Sequence, residues 1–70
     1  MELSARNQFK GTIVSITLGG VMAEVVVDIG GGNQIVSAIT RGSVEALGLA
    51  EGMAVVTIIK STEVIIGKES

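Results

Sequence analysis

The sequence predicts an all-β domain of five strands and one short helix, held together as an obligate oligomer. Three observations carry that reading. Runs rich in Val, Ile and Thr recur along the chain without a single Pro, which is the composition of pleated, half-buried strands. Glycine-rich breaks, Gly19-Gly20 and Gly30-Gly31-Gly32-Asn33, separate the first three runs as hairpin turns do. Seventy residues with no Cys and no His leave a small core with neither disulfide nor zinc site to support it, so self-association is the remaining source of stability.

The first strand is expected over Phe9–Leu18, with Phe9 as a core residue. The second is expected over Val21–Ile29 and the third over Gln34–Thr40, both glycine breaks turning through positive φ. A short insertion then reads as one or two helical turns: Ser43 can cap it, Val44 and Leu47 share a face, and Gly48 closes it. The fourth strand is expected over Ala54–Lys60 and the fifth over Thr62–Ile66. Val25-Val26-Val27 and Val55-Val56-Thr57-Ile58-Ile59 are apolar at successive positions. A strand wetted on one face alternates, whereas one buried on both faces need not. So short a chain cannot bury both faces alone, but subunit interfaces can. Five short strands with a helix between the third and fourth match the order of an OB-like Greek-key barrel. Neither repeat nor linker divides the chain, so residues 1–70 form a single domain.

Composition excludes most chemistry. Without Cys or His there is no Cys–His pair, no Ser–His–Asp triad and no directly ligated metal. The seven carboxylates are scattered, and none lies two or three positions from another. Gly30-Gly31-Gly32-Asn33 follows a strand, but no Lys-Ser/Thr or long helix follows it, so it makes a poor nucleotide phosphate loop. An enzyme is not expected, and neither is a resident cofactor. One aromatic residue and a net charge of −2 argue against nucleic acid, which wants stacking platforms in a positive groove. Met1-Glu2-Leu3-Ser4 lacks the basic and apolar regions of a leader. The uncharged stretch Gly11–Ala23 carries three Gly and is far shorter than a span of ~20 apolar residues. The expectation is a soluble cytoplasmic protein without a membrane partner.

What remains are two polar runs at opposite ends of the chain, Ser4-Ala5-Arg6-Asn7 and Lys60-Ser61-Thr62. A tetrahedral oxyanion wants such a mixture: a cation or two for charge, with hydroxyls and backbone N–H groups around its oxygens. The run Ser4-Ala5-Arg6-Asn7-Gln8-Phe9-Lys10-Gly11 resembles the N-terminal signature of the molbindins, the Mop family of molybdate-binding TOBE/OB-like modules. Ile29-Gly30-Gly31-Gly32-Asn33, Ser37-Ala38-Ile39-Thr40 and Ile58-Ile59-Lys60-Ser61-Thr62-Glu63-Val64 resemble the rest of that module in the same order. The resemblance covers nearly the whole chain.

It implies the same OB-like fold and an oxyanion pocket drawing on two subunits, with molybdate or tungstate as ligand. The pocket would use Ser4, Ala5, Arg6, Lys60 and Ser61, together with Thr40 of the Ala-Ile-Thr motif. It also implies a hexamer, a trimer of dimers, with further sites on the threefold axis. Weaker candidates for those are Gly19, Gly20, Gly31, Gly32 and Asn33. The expected function is intracellular storage and buffering of molybdate and tungstate. An oxyanion-sensing regulatory module is disfavoured because the chain starts at Met1 and has no effector segment. A structural oligomeric β-module without ligand is the other alternative. Selectivity has a chemical basis: molybdate and tungstate at neutral pH only accept hydrogen bonds, whereas phosphate retains a proton and wants an acceptor. Neither polar motif holds a carboxylate.

Overall fold

The structure is a computed structural model and describes residues 1–69. Strands β1 (Asn7–Leu18), β2 (Met22–Gly30) and β3 (Asn33–Thr40) lead into helix α1 (Arg41–Leu47), then β4 (Ala54–Ile59) and a 3₁₀ turn at Ser61–Glu63. The strands form one antiparallel sheet in the order β3-β2-β1-β4. β1 and β2 are joined by a short turn in which the Gly19 N–H donates to the Met22 carbonyl at 2.7 Å. β2 and β3 meet in a two-residue turn, Gly31-Gly32, with φ of +64° and +79°. Only glycine takes two such values in succession at no steric cost. Gly19 and Gly20 are not among the positive-φ glycines, contrary to expectation; a Cβ on Gly19 would instead stand 2.8 Å from the Met22 carbonyl oxygen.

One face of the sheet carries the core. Ile13, Ala23, Val25 and Val27 are buried there under Val44 of α1, with Ile16, Ile29, Ile39, Leu49 and Val55 packed around them. The register pairs Ile13 with Val27 and Ile16 with Val25, so β1 lays its apolar side on that of β2. A bulge between Ile13 and Ser15 lets both pairs face inward, since one extra residue resets the two-residue period. At the bulge the Ile13 amide donates to the Met53 carbonyl, and its carbonyl accepts from Gly52 at 2.8 Å. The connection between α1 and β4 is thereby fastened to β1.

Several expected details come out differently. Thr40, not Ser43, caps α1: its Oγ1 accepts from the Ser43 amide at 3.0 Å. The helix therefore starts at Arg41, and Leu47 falls on the outside, 68% exposed, while Leu49 turns inward in its place. Gly48 closes the helix in the left-handed region as expected. Phe9 is not a core residue; it lies 39% exposed on β1 opposite Thr57. The fourth strand ends at Ile59, one residue short of Lys60.

The largest difference concerns closure. Among the described residues of this chain the sheet has four strands and two free edges, β3 and β4. Thr62–Ile66 forms no fifth strand: Ser61–Glu63 coils into the 3₁₀ turn, and Ile65 and Ile66 are 93% and 86% exposed. A strand is defined by the ladder that pairs it, and no ladder reaches this segment. Between the two free edges runs a groove of about 420 Å³, lined almost wholly by apolar side chains such as Ile13, Val27, Ile35, Leu49, Val55 and Ile59.

Candidate oxyanion site

The last pair of the β1–β4 ladder is Asn7 with Ile59. The residues just beyond it, running back to Ser4 and forward to Thr62, are carried to the same end of the sheet although more than fifty positions separate them. Two local bonds shape this end. Gln8 Nε2 donates to the Ala5 carbonyl at 2.7 Å, and the Glu63 amide donates to the Lys60 carbonyl at 2.9 Å. Between the two runs lies a cleft of about 200 Å³ lined by Ser4, Ala5, Lys60, Ser61 and Thr62. It holds one ammonium and three hydroxyls, and no carboxylate lines it.

The structure thus brings together four of the six expected pocket residues, Ser4, Ala5, Lys60 and Ser61. Arg6 is exposed beside them and is not part of the cleft wall. Thr40 is elsewhere, at the head of α1, where its hydroxyl lies 2.7 Å from Ser43 Oγ while it caps the helix. Thr62 lines the cleft and was absent from the expected set, although the signal for it was the Lys60-Ser61-Thr62 run itself. Of the loop glycines, Gly19 donates its amide to Met22 and accepts from Arg41 Nη1 at 3.2 Å. In the other turn the Gly30 amide donates to Asp28 Oδ1 at 2.8 Å, which places a carboxylate beside Gly31, Gly32 and Asn33.

Among the described residues the only ion pair joins Arg41 to Glu45, at 3.2 Å. Among the described residues Arg6 and Lys60 therefore have no carboxylate partner, but neither do Lys10 and Lys68. Lack of pairing does not single out Lys60; its place in the cleft does. No group of three or more acidic, His or Cys side chains fit for a metal ion occurs among the described residues. No helix there is long and apolar enough to cross a membrane.

This geometry can be compared with known proteins. The TOBE domain family model matches residues 3–66. The chain is 52% identical to molybdenum-pterin-binding protein 1 of Clostridium pasteurianum over 66 residues, 94% of this chain and 97% of that one. The chain belongs to the Mop family of TOBE domains. Among solved Mop structures, apo MopII of Clostridium pasteurianum superposes with a TM-score of 0.90 at 49% identity, covering 96% of this chain and all of that one. The cytoplasmic molybdate-binding protein ModG, solved with molybdate bound, gives 0.83 at 41% identity over 87% of this chain and 43% of its own length. The OB-like character of this Mop chain rests on those superpositions, since its own sheet is open.

Proposed function

We propose that this chain binds molybdate, and tungstate with it, in the cleft at the end of the β1–β4 ladder, and that it stores and buffers the ion inside the cell. The observation that carries this is the lining of the cleft: Lys60 with Ser4, Ser61 and Thr62 hydroxyls, and no acceptor carboxylate. Its relatives are named for molybdenum or molybdate binding, and ModG is described as cytoplasmic. A wall of donors suits a fully deprotonated dianion and leaves the proton of hydrogen phosphate without a strong acceptor. The ion is cargo; no resident cofactor, catalytic step, nucleic acid or membrane enters the proposal. Arg6 and Thr40 belong to the proposed site through a second copy of the chain, which is how residues outside this cleft reach an anion held in it. The loops Gly19-Gly20 and Gly31-Gly32-Asn33 remain the weaker proposal for second sites, and the Asp28 carboxylate counts against the latter.

The second copy has independent support. A folded monomer of this mass is expected to expose about 4,000 Å², whereas this chain exposes 5421 Å². The excess is of the order of the ~800 Å² that each partner contributes to a standard interface. We accordingly propose an obligate homo-oligomer, a hexamer arranged as a trimer of dimers. In it Val64–Ile66 supplies the fifth strand and closes the barrel on another subunit, entering the groove between β3 and β4. Val64 already has extended backbone, φ −93° and ψ 122°.

Isothermal calorimetry tests the function. Molybdate and tungstate should each give a saturable heat at neutral pH, and equal phosphate much less. At a hundredfold excess over Kd each should stabilise the fold by about 2.7 kcal/mol of site-binding energy. Equal melting shifts from all three anions would mean a general salt effect and no built site.

A further inference from the structure

We propose that Thr62 is a further binding residue of the cleft, its hydroxyl donating a hydrogen bond to the bound oxyanion. The inference rests on the oxyanion reading above and adds a residue to it. Three observations support Thr62. It lines the cleft next to Lys60 and Ser61. Its hydroxyl makes no hydrogen bond among the described residues, whereas the hydroxyl of Thr40 is taken up by Ser43 and that of Thr57 donates to the Phe9 carbonyl at 3.3 Å. Its backbone is held in place, because the Glu63 amide bonds back to the Lys60 carbonyl across it.

Chemistry supplies the role. A tetrahedral dianion offers four oxygens, each able to accept more than one bond, so it has use for a further donor beside Lys60, Ser4 and Ser61. Each unmet oxygen in a partly desolvated cleft is costly. A threonine differs from a serine in its β-methyl, which reduces the freedom of the χ1 torsion. Its hydroxyl thus samples fewer directions than a serine's before the anion arrives, which lowers the ordering cost of binding.

Two substitutions divide the hydroxyl from the shape. Thr62→Val keeps the branched outline and deletes the donor; Thr62→Ser keeps the donor and deletes the methyl. Molybdate binding is measured by calorimetry on the intact protein, with the ligand-free melting temperature recorded for each variant. Thr62→Val is expected to weaken molybdate binding about tenfold, the scale of a lost hydrogen bond to a charged group. Thr62→Ser is expected to stay within about threefold of wild type. Position 62 is exposed, so neither change should lower the ligand-free melting temperature. Should the valine variant fail to fold, Thr62→Ala carries the same expected tenfold loss.

Wild-type affinity retained by Thr62→Val, or an equal loss in Thr62→Ser, overturns the role given to the hydroxyl and leaves the cleft standing. No molybdate heat from wild type overturns the cleft as well. The two failures are therefore distinguishable.

Discussion

Lys60 has a position that no other cation of this chain shares: it stands in the wall of a cleft whose remaining polar groups are hydroxyls. Lys60→Ala should lower molybdate affinity about ten- to a hundredfold, since a hydrogen bond to a charged group contributes roughly 1.5–3 kcal/mol. Arg6→Ala should do the same if the guanidinium reaches the anion of a second copy; an unchanged affinity would remove Arg6 from the site. Lys10→Ala and Lys68→Ala are the matched controls, because neither is paired among the described residues and both lie outside the cleft, and only a small screened effect is expected of them. Arg41 would serve less well, as it bonds both Glu45 and the Gly19 carbonyl. A loss from the controls equal to that from Lys60→Ala would show that general charge attracts the ion. The residue chemistry was legible in the sequence because the two polar runs contain cations and hydroxyls and no carboxylate. The capping role of Thr40 was not, because a threonine before a helix and a threonine in an anion pocket look alike until the Ser43 amide is seen beside it.

At the scale of elements, the β1–β2 pair depends on Gly11. A Cβ there would lie 2.4 Å from the Asp28 carbonyl oxygen and 2.7 Å from Val27 Cγ1. The first is backbone and cannot give way without opening the ladder. Gly11→Ala should therefore cost about 1–3 kcal/mol, read as a lower melting temperature in ligand-free protein. Thr40→Ala should cost about 1 kcal/mol through loss of the helix cap. Calorimetry on the same variant separates the cap from any contact with the anion: full affinity in a less stable protein means a cap alone. The four strands and the helix were readable from β-branched runs and glycine breaks, since these act locally. Three details were not. The cap moved from Ser43 to Thr40 by a choice between neighbouring hydroxyls, and that shift rotated Leu47 outward. Phe9 reads as core by type, but it sits on the part of β1 that β4 borders and α1 does not cover. The fifth run has strand composition without a strand, because a ladder depends on a partner that composition does not name.

The whole molecule is larger in outline than its mass warrants. Its radius of gyration is 13.1 Å, against about 11 Å for a compact chain of this length. Val56 and Ile58 on the free edge of β4 are more than a third exposed, and Ile65 and Ile66 are almost fully so. The successive apolar positions in the second and fourth strands, which suggested burial on both faces, are accounted for if other subunits cover what this chain leaves bare. Sedimentation at micromolar concentration should find no folded 7.1 kDa species and should find a hexamer. Ile65→Asp, which places a charge in the segment proposed to enter the groove, should yield smaller species with a lost or broadened melting transition. Unchanged mass in that variant would mean that Val64–Ile66 does not hold the assembly together.

The meeting of the chain's two ends also has a consequence in time. β1, β2 and β3 pair with sequence neighbours through short turns, whereas Asn7 finds Ile59 only by closing a loop of about fifty residues. Local pairings pay little entropy and are expected to form early, and the distant one late. The cleft needs both ends, so it is expected to come into being with that ladder and to be lost when the ladder frays. An anion bridging Ser4 to Lys60 would act as a latch on the slowest joint of the fold. Amide exchange along β4 should accordingly be the most strongly retarded by molybdate, and exchange in the β2–β3 hairpin the least.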